Sequence, residues 1–261
     1  MNAKGEESPL FSIITQTLNC VQKLPETVAS VLMQSDDSKL FEYLLLDGGS
    51  TDGTAEMVLR SAEHESRVHG WVESDRGVYD AMNKAISRAR GRFVYFLGAG
   101  DVLAQEVLGR LAQVIRQDDR QSQRERLTFY YGNVIWVGIG RYAGRFHKRR
   151  LSRQNICHQA IFYERGIFQR LGLFNLNYGA CADWEMNMRC FGDARIRKIY
   201  WDFVVATYEG AGLSLLGDPN LARDLPSLIK QHLGIVPYLY SRPFPRTPAA
   251  VMRAIRKRIP R

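Results

Sequence analysis

Apolar stretches of two kinds alternate along the first hundred residues. FSIIT (11–15), YLLL (43–46) and RFVYFL (92–97) carry unbroken apolar runs, as strands buried on both faces do. Between them, apolar residues recur at helical spacing. Leu24, Val28, Val31 and Leu32 follow Pro25, which a first helical turn accommodates. Met57 and Val58 follow DGGSTDGT (47–54), and Val78, Met82, Ala85, Ile86 and Ala89 stripe DRGVYDAMNKAISRA (75–89). HGWVES (69–74) is a shorter strand. Strands alternating with helices predict an α/β fold whose central sheet is mostly parallel and covered by helices on both faces.

The pattern then changes. LTFYYGNVIWVG (127–138) and GRYAGRFH (140–147) are strands joined through glycines, an arrangement open to antiparallel pairing, and HQAIFY (158–163) is a further short strand. DWEMNMRCF (183–191) is a short helix that begins at an acid, and RIRKIYW (195–201) and DFVVATY (202–208) are strand-like. From Pro219 the chain is helical and then proline-rich. The expected division is a main domain over residues 10–215 and a helical, basic segment over 216–261.

Composition adds limits. The 261 residues are 45% hydrophobic and 24% charged, enough for a sizeable core in an ordinary globular chain. No apolar run approaches the eighteen residues of a membrane span, and MNAKGEESPLF lacks the apolar core of a secretory signal. Cys20, Cys157, Cys181 and Cys190 show no C-x-x-C spacing, which predicts a reduced, cytoplasmic setting. The net charge of +9 favours anionic partners. It is concentrated in Arg141, Arg145, Lys148, Arg149, Arg150 and Arg153, and again in Arg253, Arg256, Lys257, Arg258 and Arg261. In PAAVMRAIRKRIPR (248–261), Val251, Met252, Ile255 and Ile259 fall on one side of a helix. Such a basic amphipathic segment suits an anionic membrane, here the inner face of the cell membrane; a disordered basic tail is the alternative.

Three acids stand just past strand ends: Asp47 in LLLDGGSTDGT, Asp75 in ESDRGVYDAMNKA and Asp101 in FLGAGD. In open α/β sheets that edge holds the ligand. Acids gathered there repel one another unless a cation sits among them, and a hard divalent ion with oxygen ligands would serve. The same acids argue against nucleic-acid binding. Gly48 and Gly77 permit tight turns, and Asp80 and Asn83 lie three apart on one helix face. Each of these positions also fits plain turn and helix-cap chemistry. Asp183, at the start of its helix, is an N-cap or a functional acid, and Glu185 is its rival. Nothing near Cys157 and His158 completes a zinc set.

Taken in order with HQAIFYERGIFQRLGLFN (158–175) and ACADWEMNMRC (180–190), these blocks resemble glycosyltransferase family 2 across residues 10–210. They are similar above all to bacterial enzymes that decorate cell-envelope polysaccharides and glycolipids. NICHQAIFY (155–163), ADWEMNMRCF (182–191) and GLS (212–214) resemble mycobacterial phenolic-glycolipid glycosyltransferases in particular.

The resemblance implies a GT-A fold and inverting transfer of a sugar from a nucleotide-diphosphate donor to a glycolipid or polysaccharide acceptor, with Mg²⁺ or Mn²⁺. It places Thr15, Asp47, Gly48, Asp75, Gly77, Asp80 and Asn83 around the nucleotide sugar, Asp101 on the metal, and Asp183 as general base. Trp184 and His158 fall on the acceptor side. Two departures stand out: Asp47-Gly48 where many members carry Asp-Asp, and Ala99-Gly100-Asp101 where many carry Asp-x-Asp. A non-catalytic relative that binds a nucleotide sugar or a partner enzyme is the alternative these departures suggest.

Overall fold

The near-continuous apolar runs become central strands. β1 (Phe11–Thr17) and β2 (Phe41–Asp47) are buried almost throughout, β3 (Val68–Val72) is half-exposed at the sheet edge, and β4 (Phe93–Phe96) is buried completely. They pair in parallel in the order β3-β2-β1-β4, with Phe11 opposite Phe41 on one side and Phe93 on the other. α1 (Leu24–Leu32), α2 (Thr54–His64) and α3 (Val78–Arg88) make the crossovers. The computed structural model describes residues 8–35, 37, 39–121, 126–142, 144–210 and 217–241. The proposed amphipathic segment at 248–261 and the GLS block lie outside the described residues.

The sheet is mixed rather than mostly parallel. β5 (Val102–Leu103) leads into α4 (Val107–Gln121), and β6 (Leu127–Trp136), β7 (Gly140–Tyr142), β8 (Ile161–Glu164) and β9 (Ile196–Tyr208) complete it. β8 runs antiparallel to both β4 and β6, β7 forms a hairpin on β6, and β9 is parallel to β6 and antiparallel to β5. For β7 the physical reason is connection length, since β6 turns into it through three residues, too few for a parallel crossover; β8 and β5 take their antiparallel places through tertiary packing.

Residues 195–201 and 202–208, two strand-like runs in the sequence, form the single β9, whose pairing with β6 shifts register around Gly132. A Cβ on Gly132 would lie 2.7 Å from the Phe203 carbonyl oxygen, so this bulge needs a bare backbone. His158–Ala160 is a 3₁₀ turn, and the strand expected there begins only at Ile161.

After β7 come α5 (Lys148–Leu151), α6 (Gly166–Leu171) and α7 (Ala182–Gly192). α8 (Pro219–Leu228) continues through a π-helical turn, Ile229–Leu233, into α9 (Ile235–Tyr240). Leu221, Leu225, Ile229 and Leu233 are buried in the same core as the sheet, packed against α7, while α9 lies on α5.

Candidate active site

Both site loops leave the carboxyl ends of parallel strands, and in each a glycine makes room for an aspartate. At the end of β2, a Cβ on Gly48 would stand 2.7 Å from Asp75 Oδ2. Past β4, a Cβ on Gly98 would stand 2.7 Å from Asp101 Oδ2. Any side chain at either position would push the carboxylate aside.

Asp47 is not open to a ligand. Its Oδ1 accepts the N–H groups of Gly49 (3.0 Å) and Ser50 (2.8 Å), and its Oδ2 accepts the hydroxyls of Ser50 (2.6 Å) and Thr17 (2.9 Å). It therefore shapes the loop that carries Gly48. Thr15 lies deeper still: it is fully buried in mid-strand, and its hydroxyl accepts that of Tyr43 at 3.0 Å. The strand reaches the site only at Thr17, so the expected contact of Thr15 with nucleotide has no surface to act through.

Asp75 keeps a half-exposed carboxylate. Oδ1 accepts the Gly77 N–H at 2.8 Å, and Oδ2 lies over Gly48. Gly77, at φ 115°, opens α3. Asp80 folds back on the same turn. Burial pushes its carboxyl up, but the backbone N–H (3.1 Å) and guanidinium of Arg76, with the charge of Lys84, hold it below the ordinary value. Asn83 has another occupation: its amide donates to the Phe174 carbonyl (2.9 Å) and accepts the Phe174 N–H (3.0 Å). It fastens α3 to the segment that leads to α7.

Asp101 is buried in the second loop. Its Oδ2 accepts the Gln159 amide (2.6 Å) and its Oδ1 the Glu209 N–H (3.0 Å). Burial raises its carboxyl above the ordinary value, against the pull of those two donors and of His158. The Thr27 hydroxyl donates to the Asp101 carbonyl and accepts the Gly100 N–H, stitching α1 to this loop. Lys23 and Glu209, joined by a 2.6 Å ion pair, flank Gly100.

Asp183, on the first turn of α7, is 6% exposed and doubly held. Tyr79 donates to Oδ1 at 2.7 Å and Asn155 donates to Oδ2 at 2.7 Å. Behind Asn155, the Asn187 amide donates to its Oδ1, and the buried Tyr163 hydroxyl donates to Asn187 in turn, each at 2.8 Å. All three donors point the same way, toward the carboxylate, so each bond polarises the next. Burial and the charge of Asp183 hold the Tyr79 phenol well above its usual value, which keeps it a donor. Glu185 is no rival, because its carboxylate is paired with Arg189 at 2.8 Å.

His158 stands beside the base: its Nδ1 is 3.9 Å from Asp183 Oδ2, and its buried Nε2 has no hydrogen-bond partner among the described residues. Trp184 is half-buried, its indole N–H on the Leu151 carbonyl at 2.8 Å. Burial pushes the Cys157 thiol far up, so it is no nucleophile.

No group of three or more His, Cys, Asp or Glu among the described residues is arranged to hold a metal ion. The donor set suits a hard cation nonetheless. Each Asp101 oxygen accepts one N–H here and has capacity for more, and the Glu209 carboxylate is adjacent.

The geometry thus offers a buried, hydrogen-bonded carboxylate and an acid-bearing loop at a strand edge, and comparison with known proteins gives the family. The profile of "Glycosyl transferase family 2" matches residues 12–172. PGL/p-HBAD biosynthesis glycosyltransferases of Mycobacterium bovis and Mycobacterium tuberculosis are 38% identical over 255 residues, which is 95% of this chain and 96% of theirs.

The chain belongs to glycosyltransferase family 2.

Solved structures agree on the fold. Residues 1–349 of S. aureus TarS in complex with UDP-GlcNAc superpose with a TM-score of 0.64 at 17% identity, over 85% of this chain and 71% of that one. The chain spans 44% of the longer TarS structure. The mannosyltransferase PcManGT from Pyrobaculum calidifontis, in complex with GDP-Man and Mn²⁺, gives 0.59 at 18% identity, over 95% of this chain and 68% of that one. The α/β fold with its mixed sheet is the GT-A fold of these glycosyltransferases, and this chain is a family 2 enzyme.

Several residues of the candidate site are silent in composition and spacing. Tyr79 sits in a helix stripe where core is the ordinary expectation; Asn155, Gln159 and Glu209 reach Asp183 or Asp101 from other parts of the chain, and Asn187, one turn past Asp183 on α7, holds Asn155. Asn155 and Gln159 do fall inside NICHQAIFY, the block that carries the resemblance.

Proposed function

We propose that this enzyme moves one sugar, with inversion, from a nucleotide-diphosphate donor to a hydroxyl of a cell-envelope glycolipid or polysaccharide precursor. The observation that carries this is Asp183: a lone buried carboxylate with both oxygens held from behind, beside a half-exposed histidine. Such a group takes the acceptor's proton as its oxygen attacks the anomeric carbon and the bond to the diphosphate breaks. His158 and Trp184 then border the acceptor. The mycobacterial relatives, named for PGL/p-HBAD biosynthesis, favour a glycolipid acceptor.

Asp75, over Gly48, is the acid placed to meet the nucleotide, with Gly77 and Asp80 shaping its turn and Asp47 the loop beneath. Asp101 would hold Mg²⁺ or Mn²⁺, which when bound supplies positive charge to the departing diphosphate. Glu209, beside Gly100, is the candidate second ligand, and Lys23, at the start of α1 and paired with Glu209, is a cation facing the same loop. Glu209 would supply the carboxylate that Ala99 does not.

The test is a screen of UDP-, GDP- and dTDP-sugars for donor hydrolysis and for transfer, with and without Mn²⁺. One donor should turn over, faster with the metal; no turnover of any donor would overturn the assignment. Gly48→Ala checks the donor side separately. Displacing Asp75 should weaken nucleotide binding about tenfold, the cost of one charged hydrogen bond, with no change in melting temperature. Calorimetric titration reads it.

A further inference from the structure

Outside the active site, one surface breaks the usual rule that exposed apolar side chains are scattered. Ile235 (56% exposed), Val236 (54%), Leu239 (63%) and Tyr240 (42%) all lie on α9, at positions i, i+1, i+4 and i+5 of six residues. They form one outward face, while Pro237 turns inward. The face is bordered by cations. α9 packs on α5, where Lys148 and Arg149 are exposed, and the Arg149 guanidinium lies 3.5 Å from the centre of the Tyr240 ring. Lys230, also exposed, stands 4.8 Å from the Tyr238 ring.

The stretches of sequence that contain α5 and α9 are one-sided in charge. Residues 140–163 and 225–261 hold fourteen of the thirty-six Lys and Arg and none of the twenty-seven Asp and Glu. The rest of the chain is therefore net acidic, twenty-two cations against twenty-seven acids. An apolar ridge fringed by Lys148, Arg149 and Lys230, in a stretch of sequence without acids, is complementary to one kind of partner: a surface that is negative outside and hydrocarbon beneath.

We propose that the α9 face, with Lys148, Arg149 and Lys230, docks on an anionic phospholipid bilayer. The docking also bears on catalysis. α5 is the same short helix whose Leu151 carbonyl receives the Trp184 indole N–H, next to Asp183. The bilayer would thus lie one helix away from the base, where a lipid-borne acceptor is presented. That second consequence rests on the glycolipid acceptor proposed above; the docking itself does not.

The experiment uses the full chain and vesicles of phosphatidylcholine with or without phosphatidylglycerol. Cosedimentation should require the anionic lipid and weaken with salt. Ile235→Ser with Leu239→Ser should lower binding at least tenfold, and each of Lys148→Gln, Arg149→Gln and Lys230→Gln about fivefold. All five positions are exposed, so melting temperatures should hold. Hydrolysis of a water-soluble donor should stay unchanged, while transfer to a vesicle-embedded acceptor falls.

Unaltered vesicle binding in the α9 variants overturns the proposal. So does binding that appears only once residues 242–261 are removed, which would mean the chain's own tail covers the face. A concentration-dependent dimer that the same serine variants disperse, without vesicle binding, assigns the face to a second copy and also overturns it. Vesicle binding needs no turnover, so an inactive preparation that still docks separates failure of the function from failure of the docking.

Discussion

Replacing Asp183 by asparagine stops sugar transfer: kcat falls about 10²–10⁴-fold, the usual contribution of a positioned base, while nucleotide affinity is unchanged. The site accommodates the substitution. The asparagine oxygen can still accept from Asn155, and its amide nitrogen can donate to the Tyr79 oxygen. The Tyr79 hydroxyl then turns to the Ala180 carbonyl, already 3.3 Å away. No buried donor is stranded, so the loss reports chemistry rather than folding. Initial rates with a calorimetric nucleotide titration provide the check, and turnover near that of the parent enzyme would remove Asp183 from the role of base.

Asp101→Ala does two kinds of damage. The Glu209 N–H and the Gln159 amide lose their acceptor in a buried loop, at about 1–3 kcal/mol for each stranded donor, and the melting temperature drops accordingly. Activity should fall at least 100-fold and cease to respond to Mn²⁺, since the one buried carboxylate of the loop is gone. Ala99→Asp should be far milder, because Ala99 has no polar partner to lose. Metal titrations of activity on both variants decide it. Full metal-dependent turnover in Asp101→Ala would place the cation elsewhere.

What the sequence makes legible here follows from how local each signal is. The strand end at Asp47, the strand that precedes the Asp101 loop and the apolar stripe of α3 are written in neighbouring residues, and the structure keeps them. The same kind of stripe runs along α4 through Val107, Leu108, Leu111, Ala112 and Ile115, although α4 is not among the predicted helices. The mixed pairing of β8 and β9 was not, because strand partners are chosen by tertiary packing rather than by the strand's own residues.

The site divides along the same line. Asp183 stood out through resemblance, but Tyr79 reaches it from 104 positions away and Asn155 from 28, and no spacing rule spans such distances. Thr15 and Asn83 mark the opposite failure. Each sits close to the site in sequence, yet the fold spends its polar atoms on Tyr43 and on the Phe174 backbone. Asp47 likewise holds its loop in shape with all four of its hydrogen bonds, work that a turn-and-cap pattern already describes.

The double hydrogen bond between Asn83 and Phe174 bears on how such enzymes can be recombined. α3 belongs by position to the donor half, yet its Tyr79 and Asn83 serve the base and the segment before it. A chimaera that grafts another member's acceptor half onto this donor half, cutting anywhere between β4 and α7, would separate the base from at least one of its two holders. The natural module is not a contiguous stretch: α3 has to travel with residues 155–191, and grafts that ignore this should fold but turn over poorly.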